Sequence, residues 1–586
     1  MISAANEPWD IAAAAELPLA SKSTLAAGLG PLLVAQDGEQ LSIPGVCLRL
    51  PRHGPAFSCG RLGHFVAFDL PAVGRGDRTA LNVRYGSSGT TIGVAGQVPH
   101  PHAQNVSDVA SQEPSGHMQR LIETVVGLML ELRLLGERQA GRVPEKHLPD
   151  SLHGILGPQA DEFDAGPLRW ACIPWAKVAT CLRQYGASPS RDVIVSIAEN
   201  SAFRNILQQL VSRPHRMLRR ERQLTALARV QETDHTCLEW LVKRPGRTAT
   251  EKAGATQEIL AVIRRENYDT LENRVLKDFL VRCIRAADMY LRLNEGFGEH
   301  SRCKLVDRYR SLCRRMLSDS VLARVGTLYS VPQPNYVLLH DMAYREMWTW
   351  YLKLVHRERQ ADEAWKWQRR LWADLMRLCV GAALHPADDN DLGTAAVFEH
   401  RLWVSDEQKD GCWFAPMDWP GPVLFQTRPP MQVVAEWIHP LHPSTDDYGS
   451  VAEWCAMLGA DMVVRFAPLA EHPGGRSACL FIWAIHSAAE SPDDERVQRQ
   501  PSEAANALHA IRQREAGDSV VFRGLILRSN LRDTTVTDLP PGKTENTWVD
   551  GLRVPASPTN WAKNGLLQVL RQVLGECALA CGDVMQ

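Results

Sequence analysis

The densest cluster of basic side chains in this chain of 586 residues lies between residues 213 and 222. Guanidinium groups form forked hydrogen bonds to phosphate oxygens, so an arginine cluster is a candidate for contacting a nucleic-acid backbone. Four of its arginines recur at intervals of three and four residues, which predicts that they share one side of a helix. The candidate DNA-binding surface therefore consists of Arg213, His215, Arg216, Arg219, Arg220 and Arg222, extended by Arg264 and Arg265.

A competing interpretation of the same cluster is a solvated helix face. Glu221, Glu232 and Glu266 could pair with the arginines and cancel their charge. No motif for reading base edges is evident, so any contact predicted here is with the phosphate backbone.

The bulk composition limits how nucleic acid could be attracted. The chain is 45% hydrophobic and 23% charged, as in ordinary folded proteins, and its formal net charge is -2. Because the molecule as a whole has no positive field, attraction to DNA must come from a local basic surface. At roughly 150 residues per domain, the length indicates about three or four folded units.

The sequence also indicates the cellular compartment and argues against a membrane span and nucleotide hydrolysis. Its fourteen cysteines are dispersed, and the first residues have neither a secretory nor a transit signature, which indicates a cytoplasmic protein. No uncharged apolar run approaches the ~20 residues needed to cross a bilayer, so no membrane span is expected. The glycine-rich stretches lack Gly-Lys-Ser/Thr, so the chain itself is not expected to hydrolyse a nucleotide.

The pattern of apolar residues changes twice along the chain. Short alternating runs from Leu32 to Val94 indicate a β-rich region, and Gly96–Gly116 has the composition of a linker. Apolar residues at helical spacing then predominate, including a long helix between Asn267 and Leu293 with Asp269 or Thr270 as its N-cap. We predict an α+β multidomain protein with a β-rich N-terminal domain at 1–116, a central helical domain at 117–355 and an α/β domain at 356–586.

The C-terminal region has the pattern strand, strand, helix, strand. Asp461–Phe466, Cys479–Ile485 and Val520–Leu527 are the predicted strands, and Glu503–Gln513 is the predicted helix between the last two. This order is typical of an α/β domain.

Three segments resemble the helical domain of unknown function that precedes a PD-(D/E)XK nuclease fold in McrC-like proteins of bacterial defence loci. They are Val211–Leu218 with the following Glu239–Pro245, Tyr268–Leu280, and Gln333–Arg345. The resemblance covers residues 190 to 355 and extends more weakly to about residue 530. It implies a restriction-endonuclease-like fold at the C-terminus and a separately encoded McrB-like nucleoside-triphosphatase as partner.

The resemblance also implies where a nuclease would hold its metal. Such enzymes use two or three acidic side chains and a lysine, because Mg²⁺ prefers hard oxygen ligands and must activate water. Asp461 occupies the position of the first metal-binding aspartate, but the acid-x-lysine positions fall on Trp483, Ala484 and Ile485. Shifting the alignment by one residue gives Ala484 and His486. In the preceding helix a glutamate position falls on Ala373, with Asp374 adjacent.

These residues predict a pseudo-nuclease in which Asp461 is a remnant, with no catalytic set, no metal site and no cofactor. The expected function is a DNA-binding or target-sensing subunit of an antiviral system, with double-stranded DNA and separately encoded NTPase or nuclease subunits as partners. Two alternatives stay open. One is an active Mg²⁺-dependent nuclease with a rearranged site, and the other is an assembly scaffold for a McrB-like ATPase that does not touch DNA.

Overall fold

The structure is a computed structural model in which the backbone divides into two compact units, residues 191–357 and the remainder, 1–190 with 358–586. The residues that it describes are 2–5, 7–10, 24–26, 32–36, 41–42, 57–58, 64–69, 78–85, 88–95, 114–140, 170–185, 188–318, 321–385, 395–396, 401–409, 412–414, 423–426, 432–438, 449–468, 476–486, 495–516, 520–530, 535–545, 547–555 and 565–581. It is a mixed α/β protein.

The N-terminal part contributes short strands to two four-stranded sheets, with strand orders β1-β3-β6-β5 and β2-β8-β7-β4. Their bounds are β1 Ile2–Ala5, β2 Thr24–Ala26, β3 Leu32–Gln36, β4 Leu41–Ser42, β5 Phe57–Ser58, β6 His64–Asp69, β7 Arg78–Tyr85 and β8 Ser88–Ala95. Helix α1, Pro114–Ala140, strand β9, Trp170–Pro174, and helix α2, Trp175–Gln184, follow. Most of the predicted linker, residues 96–113, lies outside the described residues, and its last three residues begin α1.

The unit of residues 191–357 is a helical bundle interrupted by one two-stranded sheet. Its elements are α3 Val193–Glu199, α4 Ser201–Ser212, β10 Met217–Ala226, α5 His235–Val242, α6 Ala249–Ala253, β11 Glu258–Asn267, α7 Leu271–Leu293, α8 Ser301–Ser318, α9 Tyr336–His340 and the first part of α10 Met342–Lys366. Its core is formed by the apolar faces of the long helices.

The predicted long helix is confirmed as α7, with Thr270 as its N-cap residue and Glu272 in its first turn. Its apolar face is buried at Leu276, Phe279 and Cys283, because residues at helical spacing share one face. The aromatic residues of α10 also pack into this core, with Tyr351 fully buried.

The C-terminal part of the chain forms an eight-stranded mixed sheet of order β12-β15-β16-β17-β18-β19-β21-β20. The elements of this part are α11 Gln368–Leu384, β12 Ala395–Ala396, β13 Arg401–Lys409, β14 Cys412–Phe414, β15 Val423–Gln426, β16 Gln432–Ile438, α12 Gly449–Met457, β17 Met462–Pro468, β18 Ser477–Ile485, α13 Glu495–Ile511, β19 Val520–Asn530, β20 Thr537–Thr544, β21 Thr547–Pro555 and α14 Leu566–Ala580. Strands β13 and β14 instead form a small sheet with β9.

The three predicted C-terminal strands and the helix between the last two are confirmed as β17, β18, β19 and α13. Strand β18 is antiparallel to β17 and parallel to β19. It is apolar throughout because both of its faces are covered, with Leu480, Ile482 and Ala484 in one core and Phe481 and Trp483 in the other.

Helix α1 contributes to the same core as the C-terminal sheet, through residues such as Leu121, Val125 and Leu132. The backbone contacts therefore place residues 114–140 with the C-terminal part of the chain, whereas the sequence predicted a domain beginning at 117 that continues to 355. The described part of the chain has no helix that combines the length and the hydropathy needed to span a bilayer.

Candidate nucleic-acid interface

The predicted basic cluster lies on a β-ribbon, and its prediction as a helix is wrong. Strands β10 and β11 pair antiparallel over ten residue pairs, from Met217 with Asn267 to Ala226 with Glu258. We call residues 213–267 the arm. Its two strands are joined by residues 227–257, the connecting segment, which holds α5 and α6.

Two features of the chain explain why a strand forms where helical spacing was found. Pro214 disfavours helical backbone at Arg213, and α4 ends just before it, at Ser212. The arginines and glutamate that follow are good helix formers in isolation, but β11 carries the β-branched residues Ile259, Val262 and Ile263 and offers a complete partner strand. Cross-strand pairing therefore overrides local propensity.

The strand geometry distributes the arginines over two faces. Successive side chains of a strand point to opposite sides, so Arg219 and Arg220 do not share a surface. Arg219 is directly opposite Arg265, and Arg220 is directly opposite Arg264. The expected single row of Arg213, Arg216, Arg219 and Arg220 on one side of a helix is therefore replaced by two like-charged cross-strand pairs, each destabilising on its own.

Carboxylates relieve most of this repulsion. Glu232 lies between Arg220 and Arg264, at 3.0 and 3.1 Å from their guanidinium nitrogens. The remaining ion pairs are Arg216 with Glu266, Arg222 with Asp234 at 2.6 Å, and Arg265 with Glu221 at 3.7 Å. The three glutamates named in the competing interpretation do pair with the arginines, on a ribbon and not on a helix.

The ion pair with Arg222 changes the ionisation of Asp234. Hydrogen bonds from the Arg222 guanidinium and from the backbone N–H of Cys237 hold the pKa of this carboxyl well below its usual range. Asp234 therefore stays ionised, and the charge of Arg222 is matched locally.

Other cations of the arm have no carboxylate within ion-pair distance in the described part of the chain. Arg213 and Arg219 are the two from the predicted set. The others belong to the connecting segment and are Arg229, Lys243, Arg244, Arg247 and Lys252. Arg244 lies over the Trp240 ring at 4.4 Å, which keeps its side chain ordered.

The arm as a whole is basic although the chain is not. It contains twelve lysines and arginines and seven acidic residues, a formal charge of +5, against -2 for the whole chain. Of these cations, Lys243, Arg244 and Arg247 lie around the turn at Pro245 and Gly246, in the sequence Lys-Arg-Pro-Gly-Arg.

A polar cluster with a buried centre at Glu272, Asn273 and Tyr344 holds the root of the arm. With the half-buried His215 and Asn335 we call it the buried polar cluster. The Asn273 amide donates to the backbone oxygens of His215 and Tyr268, at 2.7 and 2.8 Å, so it bonds to the chain on both sides of the ribbon. Its Oδ1 accepts from the Tyr344 hydroxyl at 2.7 Å, and that hydroxyl accepts from the His215 backbone N–H at 2.9 Å.

Glu272 completes the buried polar cluster. It is 2% exposed, contacts the His215 ring through one carboxylate oxygen, and accepts from the Asn335 amide through the other at 2.9 Å. Burial raises the pKa of Tyr344 to about 12, so its hydroxyl keeps the proton that it donates. The three sequence segments that carry the family resemblance therefore meet in one hydrogen-bonded cluster, and its effect is to fix the arm to α7 and α10.

Asp461, which the resemblance placed at a metal-ligand position, hydrogen-bonds to the backbone of strand β18. Asp461 is buried, and its Oδ2 accepts from the backbone N–H of Ala484 at 2.7 Å. Trp483, Ala484 and Ile485, where the resemblance predicted the acid-x-lysine positions, are buried apolar residues, and the buried Asp374 pairs with Arg377 at 3.2 Å. Among the described residues, no group of three or more His, Cys, Asp or Glu side chains is arranged to hold a metal ion.

Substitution of Asp461 separates the structural from the catalytic interpretation. Asp461→Ala removes the acceptor from a buried N–H and should lower the free energy of unfolding by about 1–3 kcal/mol, whereas Asp461→Asn retains an oxygen acceptor and most of the stability. Chemical denaturation of both variants measures this. A stable Asp461→Asn protein that loses Mg²⁺- or Mn²⁺-dependent DNA cleavage seen in the wild type would establish the nuclease alternative.

His486, the other residue considered in the acid-x-lysine region, is neutral and buried. Burial, with a smaller contribution from Arg528, lowers its pKa to about 3. Its ring nitrogens hydrogen-bond with Ser529 Oγ at 2.9 Å and with Gln368 Oε1 at 3.2 Å. An uncharged imidazole held in this way supplies no anionic ligand for a divalent ion.

The lowered pKa of His486 predicts acid sensitivity. Below pH 6.5 the unfolded chain binds a proton that the folded chain excludes until about pH 3, so stability is fully present above pH 6.5 and is lost as the pH falls toward 3. The slope for this one group is about 1.4 kcal/mol per pH unit. Denaturation curves between pH 4 and 7 should be less steeply pH-dependent for His486→Gln than for the wild type. Identical pH dependence would contradict this assignment.

Residues 189–351 match the model of a family described as a domain of unknown function (DUF2357). The match includes the arm and all five residues of the buried polar cluster. A search of curated proteins finds no match to this chain.

Proposed function

We propose that this protein is a non-catalytic DNA-binding or target-sensing subunit of a bacterial antiviral defence system, acting with separately encoded NTPase or nuclease subunits. The observation that carries the proposal is the arm, a β-ribbon with a formal charge of +5. Its connecting segment holds five cations with no carboxylate partner in the part of the chain that the structure describes. A two-stranded ribbon fits the width of the DNA major groove, and free cations are suited to the phosphates beside it.

The C-terminal domain supports the non-catalytic part of the proposal. Strand β17 starts directly after Asp461 and pairs with β18, the arrangement in which a restriction-endonuclease-like fold presents its metal ligands on adjacent strands. In this chain the corresponding side chains are apolar, and the one remaining aspartate is engaged with Ala484. We infer a degenerate PD-(D/E)XK fold that acts by binding and needs no cofactor.

Binding to duplex DNA at increasing salt tests the proposal. The full-length protein, titrated on a fluorescent duplex, should bind at 50 mM salt and weaken linearly on a log–log scale with a slope of about -0.9 for each phosphate contacted. Incubation with Mg²⁺ or Mn²⁺ should leave the duplex uncut. Absence of binding at low salt would refute the DNA-binding function.

A second candidate is an assembly scaffold for a McrB-like ATPase. Most of the arginines on the ribbon strands are paired with carboxylates, and the ribbon exposes Met217, Leu218 and Leu224 at 55%, 62% and 47%. Exposed apolar side chains beside neutralised charges suit a protein partner better than phosphates. Co-purification of the ATPase with the wild type but not with Leu218→Asp/Leu224→Asp, combined with no affinity for DNA, would favour this function.

A further inference from the structure

One face of the ribbon carries three arginines whose charges are matched by carboxylates of the connecting segment. Arg220 and Arg222 are two residues apart on β10, so their side chains point to the same side, and Arg264 is directly opposite Arg220 on β11. Glu232 contacts Arg220 and Arg264, and Asp234 contacts Arg222. We call these three arginines the arginine face. Its anions are supplied from within the chain.

Two guanidinium groups of the arginine face converge on the single carboxylate of Glu232. Its Oε1 is 3.0 Å from Arg220 Nη2, and its Oε2 accepts from Nε and Nη2 of Arg264 at 3.2 and 3.1 Å. Guanidinium groups bind the oxygens of carboxylates and of phosphates with the same planar arrangement of donors. Arg220 and Arg264 therefore form an anion site that also suits a phosphate, and Glu232 fills it.

The carboxylate of Glu232 is held by fewer kinds of contact than that of Asp234. Asp234 also accepts from the backbone N–H of Cys237 at 3.0 Å, so it caps α5 as well as pairing with an arginine. Within the described part of the chain, the Glu232 carboxylate contacts only Arg220 and Arg264, whose side chains are 66% and 57% exposed. Ion pairs between exposed side chains contribute little to stability, so another anion can replace this carboxylate.

Two further observations favour exchange of the anion over an empty site. Arg220 and Arg264 are directly opposite each other, so they repel when no anion lies between them. The backbone oxygen of Glu232 accepts from the N–H of Val262 at 2.9 Å, and this bond does not depend on where the carboxylate lies. The side chain can therefore leave the arginines while the backbone stays attached to the ribbon.

We propose that Glu232 is an internal stand-in for a DNA phosphate, so that the arginine face is self-blocked until a phosphodiester group displaces the carboxylate from Arg220 and Arg264. This inference rests on the proposed DNA-binding function and adds its regulation. DNA repeats its negative charge at every nucleotide, and the arm has further cations with no carboxylate partner among the described residues. That match favours a phosphate over the side chain of an acidic protein.

The test compares Glu232→Gln with a matched control, Glu239→Gln, in the full-length protein. Both substitutions remove one negative charge from the connecting segment, but Glu239 contacts His235 and not an arginine. Glu232→Gln should bind a fluorescent duplex about ten-fold more tightly than the wild type at 50 mM salt, with a log–log salt dependence steeper by about 0.9, because it neutralises a phosphate without releasing a carboxylate. Glu239→Gln should stay within about two-fold of the wild type, because a distant charge is screened by salt.

A double-mutant cycle shows whether the gain depends on the two arginines. In the background Arg220→Ala/Arg264→Ala, adding Glu232→Gln should leave the affinity for duplex DNA unchanged, because no guanidinium group is left to be released. Glutamine has nearly the size of glutamate and keeps the backbone bond to Val262, so the variants are expected to fold, which circular dichroism checks.

Three outcomes would overturn the inference. If Glu232→Gln binds duplex DNA no more tightly than Glu239→Gln, Glu232 does not block the arginine face, and the proposed function stands. If Glu232→Gln gains affinity for poly-glutamate but not for DNA, the arginine face takes the carboxylates of a protein partner. If neither the wild type nor Glu232→Gln binds DNA at 50 mM salt, the proposed function and this inference fail together.

Discussion

Replacing Lys243, Arg244, Arg247 and Lys252 together with alanine should reduce the affinity for duplex DNA by about 100-fold or more at 50 mM salt. These four side chains have no carboxylate partner among the described residues, so we expect each to be available to a phosphate. Loss of four phosphate contacts should also make the log–log salt dependence less steep by about 3 to 4. Fluorescence anisotropy across salt concentrations measures both quantities.

A control of equal charge is provided by the exposed faces of α7 and α8. Alanine at Arg285, Arg292, Arg308 and Arg315 changes the net charge by the same amount while leaving the arm intact. This variant should retain duplex affinity within a few-fold. Equal losses in the two variants would mean that the overall charge of the protein, and not the arm, governs binding.

Replacing arginines near the ribbon, most of which are paired, tests whether pairing reduces their contribution to DNA affinity. Arg216→Ala/Arg219→Ala/Arg220→Ala removes two cations that are already paired, with Glu266 and Glu232, and one that is not. We expect a smaller loss of affinity than for the connecting segment, because a paired arginine must exchange its carboxylate for a phosphate. If this triple variant loses as much DNA affinity as the connecting-segment variant, the arginines predicted from the sequence are a main DNA contact.

The second large effect is expected on stability, from Asn273→Ala. Asn273 is fully buried and makes three hydrogen bonds, so its removal leaves two backbone oxygens and the Tyr344 hydroxyl without this partner. With a cost of about 1–3 kcal/mol for each buried polar group left unpaired, we expect the free energy of unfolding to fall by about 3–5 kcal/mol. Chemical denaturation measures the loss.

Two further measurements identify the cause of that loss. Tyr344→Phe keeps the ring and deletes only the hydroxyl, so it should lower the free energy of unfolding by less than Asn273→Ala. The substitution Arg285→Ala, at an exposed position of α7, the helix that also contains Asn273, should change the free energy of unfolding by no more than about 0.5 kcal/mol. Hydrogen exchange should accelerate in β10 and β11 of Asn273→Ala, because both strands lose an anchor at the root of the ribbon. If Asn273→Ala is as stable as Arg285→Ala, the buried polar cluster does not hold the arm.

Local sequence patterns were sufficient for several elements of the fold. Helical spacing and an N-cap residue predicted the long helix α7, and a short apolar run predicted strand β18. These predictions succeeded because a helix or strand with a buried face repeats its apolar residues with its own period. The basic character of the arm was also visible, since charge is a property of composition.

Tertiary structure decided the geometry of the candidate site. The segment at Arg219 and Arg220 became a strand because β11, about 40 residues further along, supplied its partner, and the register of that pairing set which carboxylates meet which arginines. The same non-local contacts joined Asn273 with Tyr344 and directed Asp461 to the backbone of Ala484. A periodicity describes one segment at a time, so it cannot specify pairings between distant segments, and those pairings decide which charges remain free.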